Sequence, residues 1–173
     1  TQNGVKQQHN ISLRGGSEKT RYFASFNYTN VKGVAVGNQF KRYNIRLNLD
    51  QDITSWLKFS TSTQLGRYDR SGSNADIYRA YKMNPLAEPY DEEGNIRPAA
   101  WEDSSEAFAV NPLSDLNNKV NDIRAKVITN NVLEVQLPFV PGLSYKLNTG
   151  YTYENSSWKK YQGMDTYYGA RSN

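Results

Sequence analysis

The chain holds one histidine, His9, and no cysteine. Thiol catalysis, thiolate metal sites and disulfide frameworks are thereby excluded. An imidazole works as a general base when a nucleophile and an orienting carboxylate are in reach. No such set accompanies His9, and neither a phosphate-cradling glycine loop nor a nucleophile elbow occurs. His9 therefore reads as a rim side chain and the chain as a non-enzyme. The run Asp91, Glu92, Glu93, Gly94, Asn95 offers hard oxygen ligands. It lacks the alternating spacing and distal glutamate of an EF-hand loop, so it reads as a solvated turn. No cofactor is called for; a loop-bound calcium held by distant carboxylates stays open. The same stretch carries Tyr78, Tyr81, Tyr90 and Trp101. Their faces could stack on sugar rings or anchor a partner. The reading that prevails is that they form the small core that so long a loop must bury. Trp101 is the strongest of the four for substrate or partner contact, because its stretch holds few other large apolar residues. Asp76 is placed to cap a short helix over residues 76–83, with Ile77, Tyr78 and Tyr81 on one face.

Those residues need a scaffold, and the rest of the chain supplies one with period two. Tyr22, Ala24, Phe26 and Tyr28 alternate with Phe23, Ser25, Asn27 and Thr29. Tyr43, Ile45, Leu47 and Leu49 alternate with Asn44, Arg46, Asn48 and Asp50, and Leu57, Phe59, Thr61, Thr63 and Leu65 with Lys58, Ser60, Ser62 and Gln64. Such alternation means extended strands with two unlike faces. Strands are expected over residues 6–14, 20–30, 40–51, 56–68, 125–137 and 143–154. Tight turns (15–19, 52–55, 138–142) alternate strictly with longer connections (31–39, 69–124, 155–173). This favours an up-and-down membrane barrel, with short turns at one end and long loops at the other. Phe26, Ile45, Leu47, Phe59 and Leu147 would then be lipid-facing. Arg46, Asn48, Lys58, Ser60, Ser62, Gln64, Lys146 and Asn148 would line the lumen. Tyr28, Tyr43, Tyr151 and Tyr153 fall near one set of strand ends, and Tyr22, Trp56 and Phe139 near the other, as two aromatic belts would. Six strands cannot close such a wall, so a piece of a larger barrel is expected. In a soluble sandwich the same apolar faces would turn inward.

Composition agrees with a half-wet wall. Of 173 residues, 37% are hydrophobic, with 13 Tyr and only 2 Met. The mean hydropathy is −0.80. No run of about 18 apolar residues exists, which excludes a membrane-crossing helix but not crossing strands. Net charge is +4. Residues 69–124 carry 11 acidic and 6 basic side chains, leaving a basic scaffold around an acidic insertion. The bases are scattered singly, so no nucleic-acid stripe forms.

Residues 8–26, QHNISLRGGSEKTRYFASF, strongly resemble the SusC/RagA family of TonB-linked outer-membrane transporters. So do residues 40–50, FKRYNIRLNLD, and 53–58, ITSWLK. The loop pieces NPLAEPYDEEGN (84–95) and NPL (111–113) look like that family's extracellular loop. The resemblance implies an all-β, antiparallel up-and-down transmembrane β-barrel segment, about six strands of a larger barrel. Residues 1–173 would belong to one barrel domain, with 69–124 as an extracellular loop insertion and the plug domain absent from this chain. It implies import of large nutrients, glycan ahead of peptide, in the outer membrane of a Gram-negative bacterium. The implied partners are a SusD-like surface lipoprotein lid and TonB, acting through a plug outside this segment. The lumen-lining side chains would bond that plug and water, or give a hydroxyl-rich solute a polar path. The alternative is a soluble extracellular β-sandwich carbohydrate-binding module using the loop aromatics.

Overall fold

The computed structural model describes residues 2–101 and 110–172. Six strands form one antiparallel sheet: β1 (Val5–Gly16), β2 (Thr20–Lys32), β3 (Gln39–Asp52), β4 (Leu57–Asp69), β5 (Lys119–Gln136) and β6 (Ser144–Tyr161). Two short helices, α1 (Ile77–Lys82) and α2 (Tyr167–Ala170), and a 3-10 turn (Ser114–Asn117) sit in the long connections. Spatial order follows chain order, β1-β2-β3-β4-β5-β6.

The sheet is open. Among the described residues β1 pairs only with β2, and β6 only with β5. The expected transmembrane β-barrel segment is therefore corrected, and with it the description of these segments as transmembrane β-strands. Period-two alternation and alternating turn lengths specify an antiparallel meander. They do not specify that its last strand finds its first.

Register keeps the two faces apart. Ile11, Phe26, Ile45, Leu65, Val127 and Tyr153 stand in one cross-strand row. A shift of one residue would send a polar residue such as Ser25, Asn44, Gln64 or Lys126 into that row. The row His9, Tyr28, Tyr43 adds ring contacts, with centroids 6.2 Å and 5.1 Å apart. The face is less uniformly apolar than the alternation suggests. Thr61, Asn131 and Thr149 make a polar row across β4 to β6, and the Thr63 and Thr129 hydroxyls meet at 2.9 Å beside it.

β5 and β6 are each longer than expected. Residues 119–124 and 155–161 are strand, so the large insertion shrinks to residues 70–118. Tyr151 and Tyr153 consequently lie in mid-strand and not in an end belt. These extensions mix polar and apolar residues on both faces, Val120 and Trp158 on one and Ile123 and Tyr161 on the other, which hides them from a periodicity reading. Backbone pairing from Lys119↔Tyr161 onward holds them.

Among the described residues the buried apolar ones are Ala35, Ala100, Val110 and Tyr167, all in the connections. Phe26, Leu47 and Leu147 are exposed, so the sheet's apolar face is not packed into a dry interior. The core lies at the loop end, where the 31–39 connection, the large insertion and the segment after β6 meet.

Candidate functional site

The loop end is tied to the sheet by continued pairing. Arg70 N–H donates to the Asp122 carbonyl at 2.8 Å and Gly72 N–H to the Val120 carbonyl at 2.9 Å. The Ser73 hydroxyl donates to the Asn118 carbonyl at 3.0 Å. These bonds extend the β4–β5 ladder and place α1 just beyond it.

α1 begins where the sequence says it should. The Asp76 carboxylate accepts the Arg79 N–H at 3.0 Å and pairs with Arg79 Nε at 3.2 Å. The Asp76 N–H donates to the Pro112 carbonyl at 2.9 Å, fixing the helix to the far side of the insertion. No residue of α1 is buried. Tyr78 is 66% exposed and Tyr81 87% exposed, so their rings are turned to solvent and not into a loop core. Lys82 Nζ sits 4.2 Å from the Tyr78 ring centroid. Arg79 donates to the Tyr168 hydroxyl at 3.3 Å and so links α1 to α2. Tyr168 itself packs edge-on to Tyr167, at 5.3 Å between centroids.

Tyr90 lines an open recess of about 530 Å3 with Glu88, Asp91, Glu92, Glu93 and Arg97. Tyr78, Tyr81 and Trp101 do not line it; Trp101 is half-buried. The acidic run is a turn held by its own first residue. Asp91 Oδ1 accepts the N–H groups of Asn95 at 2.7 Å and Glu93 at 3.1 Å. Gly94 takes the positive φ of +84° that the reversal needs. No group of three or more His, Asp or Glu placed to hold a metal occurs among the described residues.

Those donors, the Asn95 backbone N–H first, hold the Asp91 carboxyl below the usual aspartate range. A depressed folded-state value contributes stability above the unfolded value and loses it as pH falls through the folded one. The turn should therefore loosen as the pH is taken below about 4. The Glu93 and Asn95 amide resonances should shift and exchange faster there while mid-sheet amides of β3 hold. Titration of both sets in parallel would contradict this.

On the sheet, register places every sequence-predicted side chain on a definite face. Arg46, Asn48, Lys58, Ser60, Ser62, Gln64, Lys146 and Asn148 share one face. Arg46 opposes Gln64, and the Ser62 hydroxyl donates to Asn48 Oδ1 at 2.9 Å. Phe26, Ile45, Leu47, Phe59 and Leu147 share the other. Apolar residues also fall on the polar face, among them Phe23, Val31, Phe40, Val120, Ile128, Val132 and Trp158. Farther toward the loop end, the polar face carries a feature that sequence reading missed. A recess of about 220 Å3 is lined by Phe40, Tyr68, Arg70, Arg124, Lys126 and Glu154. Four strands or their ends contribute to it, so only the pairing register could have revealed it.

No protein-family profile matches the chain. TonB-dependent receptor P39 of Formosa agariphila aligns over 170 residues at 29% identity, covering 94% of this chain and 15% of that receptor. TonB-dependent receptor P3 of the same organism aligns over 171 residues at 25% identity, covering 92% of this chain and 17% of that receptor. The chain is a distant relative of TonB-dependent receptors. Among solved structures, a chain in the structure of the RagAB peptide transporter is similar, with a TM-score of 0.65 and 23% identity. That match covers 90% of this chain and 18% of the other, and it speaks for the fold. The chain thus spans less than a fifth of the length of each of these proteins. The relationship stands at the level of TonB-dependent receptors, one step coarser than the SusC/RagA resemblance.

Proposed function

We propose that this chain is a sugar-capturing sheet unit of an outer-membrane nutrient-uptake system of the TonB-dependent kind, in a Gram-negative bacterium. The observation that carries the reading is the loop end, where a capped helix presents Tyr78 and Tyr81 to solvent beside Lys82 and Arg79. Exposed aromatic faces flanked by charged and amide groups suit the apolar face and hydroxyl rim of a pyranose. They favour glycan over peptide as the ligand of the loop end. The distant relationship over nearly the whole chain supports the uptake context. In this reading Tyr90 and Trp101 extend the capture surface, and a SusD-like lipoprotein closes over it. TonB acts through a plug outside this segment. Arg46, Asn48, Ser62, Gln64 and their neighbours offer the captured solute a polar surface.

The open sheet favours a second reading, an extracellular carbohydrate-binding module that encloses no path. The two separate cleanly. A module unfolds cooperatively in plain buffer and binds oligosaccharide by itself. An uptake unit loses labelled-glycan import when TonB is deleted. Both require the loop aromatics. Replacing Tyr78 and Tyr81 together with alanine should weaken oligosaccharide binding by about tenfold or more. Unchanged affinity would contradict sugar capture at the loop end.

A further inference from the structure

We propose that the polar-face recess is a subsite for the anionic group of an acidic saccharide, a sugar ring bearing a carboxylate or a sulfate. The proposal rests on the sugar-capture reading and adds the charge of the substrate. Three features of the recess carry it.

The first is an excess of cations. Thr29, Arg42, Tyr68 and Arg124 stand in one row on the polar face, and Asn27, Asn44, Gly66, Lys126 and Glu154 in the next. Arg70 and Asp122 close the loop end of the patch, with Arg70 Nε 3.3 Å from the Asp122 carboxylate. Glu154 is shared between Arg124 Nε at 3.4 Å and Lys126 Nζ at 3.5 Å. Arg42, Arg70, Arg124 and Lys126 therefore face two carboxylates, Asp122 and Glu154. The Arg70, Arg124, Lys126 and Glu154 side chains remain partly exposed, so an incoming anion can reach them.

The second is an aromatic platform. Phe40 and Tyr68 line the recess. A Cβ at Gly66 would lie 3.0 Å from a Tyr68 ring carbon, so the glycine lets that ring lie against the sheet. Aromatic rings beside guanidinium groups are the pairing that an acidic pyranose requires, a face for the ring and a fork for its charge.

The third is unspent hydrogen-bonding capacity. Arg42 Nε and Asn44 Oδ1 are buried without a partner among the described residues. Asn44 lies directly opposite Gly66, and Arg42 directly opposite Tyr68. Buried polar atoms left unpaired are costly, and these flank the recess where sugar hydroxyls would arrive. Thr29, Asn27 and Asn44, in the same two rows, add hydroxyl and amide groups beside the recess, which favours a saccharide over an acidic peptide.

The test is a calorimetric titration of the full chain with four probes of matched length. These are an oligogalacturonate, a sulfated galactan oligosaccharide, a neutral maltooligosaccharide and oligoglutamate. At least one acidic saccharide should bind about tenfold tighter than the neutral one, with an affinity that falls as salt rises. The first two arms tell carboxylate from sulfate. The double substitution Arg124→Gln and Lys126→Gln should erase the preference and leave the neutral probe unaffected. Glu154→Gln, which removes a competing carboxylate, should raise acidic-saccharide affinity several-fold. That gain cannot arise from misfolding. Equal binding of acidic and neutral saccharides, or no effect of either substitution, would overturn the subsite while sparing sugar capture. Absence of any saccharide binding would overturn both. Oligoglutamate binding tighter than every saccharide would overturn the ligand class.

Discussion

Replacing Asn111 with alanine should destabilise the large insertion by about 2–4 kcal/mol while leaving the sheet folded. Asn111 is 1% exposed. Its Nδ2 donates to the Pro89 carbonyl at 2.7 Å and the Arg97 carbonyl at 2.6 Å, and its Oδ1 accepts the Leu113 N–H at 3.0 Å. One amide thus closes three backbone groups from two separate segments. Alanine removes all three bonds in a place where water enters poorly, and the Pro89 carbonyl keeps its bond from the Arg97 N–H. Aspartate would set a carboxylate against two carbonyl oxygens and should be no better. Hydrogen exchange reads this directly. The Arg97 and Leu113 amides should lose protection by a factor of about a hundred, and β2–β3 amides by none. Unaltered exchange at both loop amides would show that Asn111 is not the clasp.

Gly37→Ala should come next in size, at about 2–4 kcal/mol of loop docking. Gly37 has a φ of +84°, where a side chain is strained. A Cβ there would lie 1.8 Å from the Ser73 carbonyl oxygen, which is backbone and cannot swing aside. The 31–39 connection would have to retreat from the segment after β4. The bond from the Ala75 N–H to the Val36 carbonyl, 3.1 Å long, is the reporter. Its amide should exchange freely in the variant, whereas Gly94→Ala should be milder. Gly94 shares the positive φ but has open space around its missing Cβ. Equal effects at both glycines would remove the close approach as the cause.

These two positions show where sequence reading stops. The alternation in β2, β3 and β4 is legible because apolar side chains recur on one face of each strand. The Asp76 cap is legible because a carboxylate preceding a helix-compatible run has a local mechanism. The loop-end extensions of β5 and β6 are not, since Val120, Ile123, Trp158 and Tyr161 are scattered over both faces among lysines, asparagines and serines. α2 is hidden because four residues carry no periodicity. Closure is not a local property, and alternation invited an expectation that the open order β1 to β6 corrects. The acidic-sugar recess is hidden for a related reason. Phe40, Tyr68, Arg124 and Glu154 are far apart in sequence, and only the register of three strand pairs brings them together. Asn111 reads as part of a loop motif, but its burial depends on where residues 89 and 97 return.

The most direct check is a hydrogen-exchange footprint of the full chain with a saturating oligosaccharide. Sugar capture at the loop end requires new protection within residues 77–101 and around α2, with the tight turns at 17–19, 53–56 and 138–142 unchanged. Protection confined to those turns, or none at the loop end under saturating sugar, would contradict it.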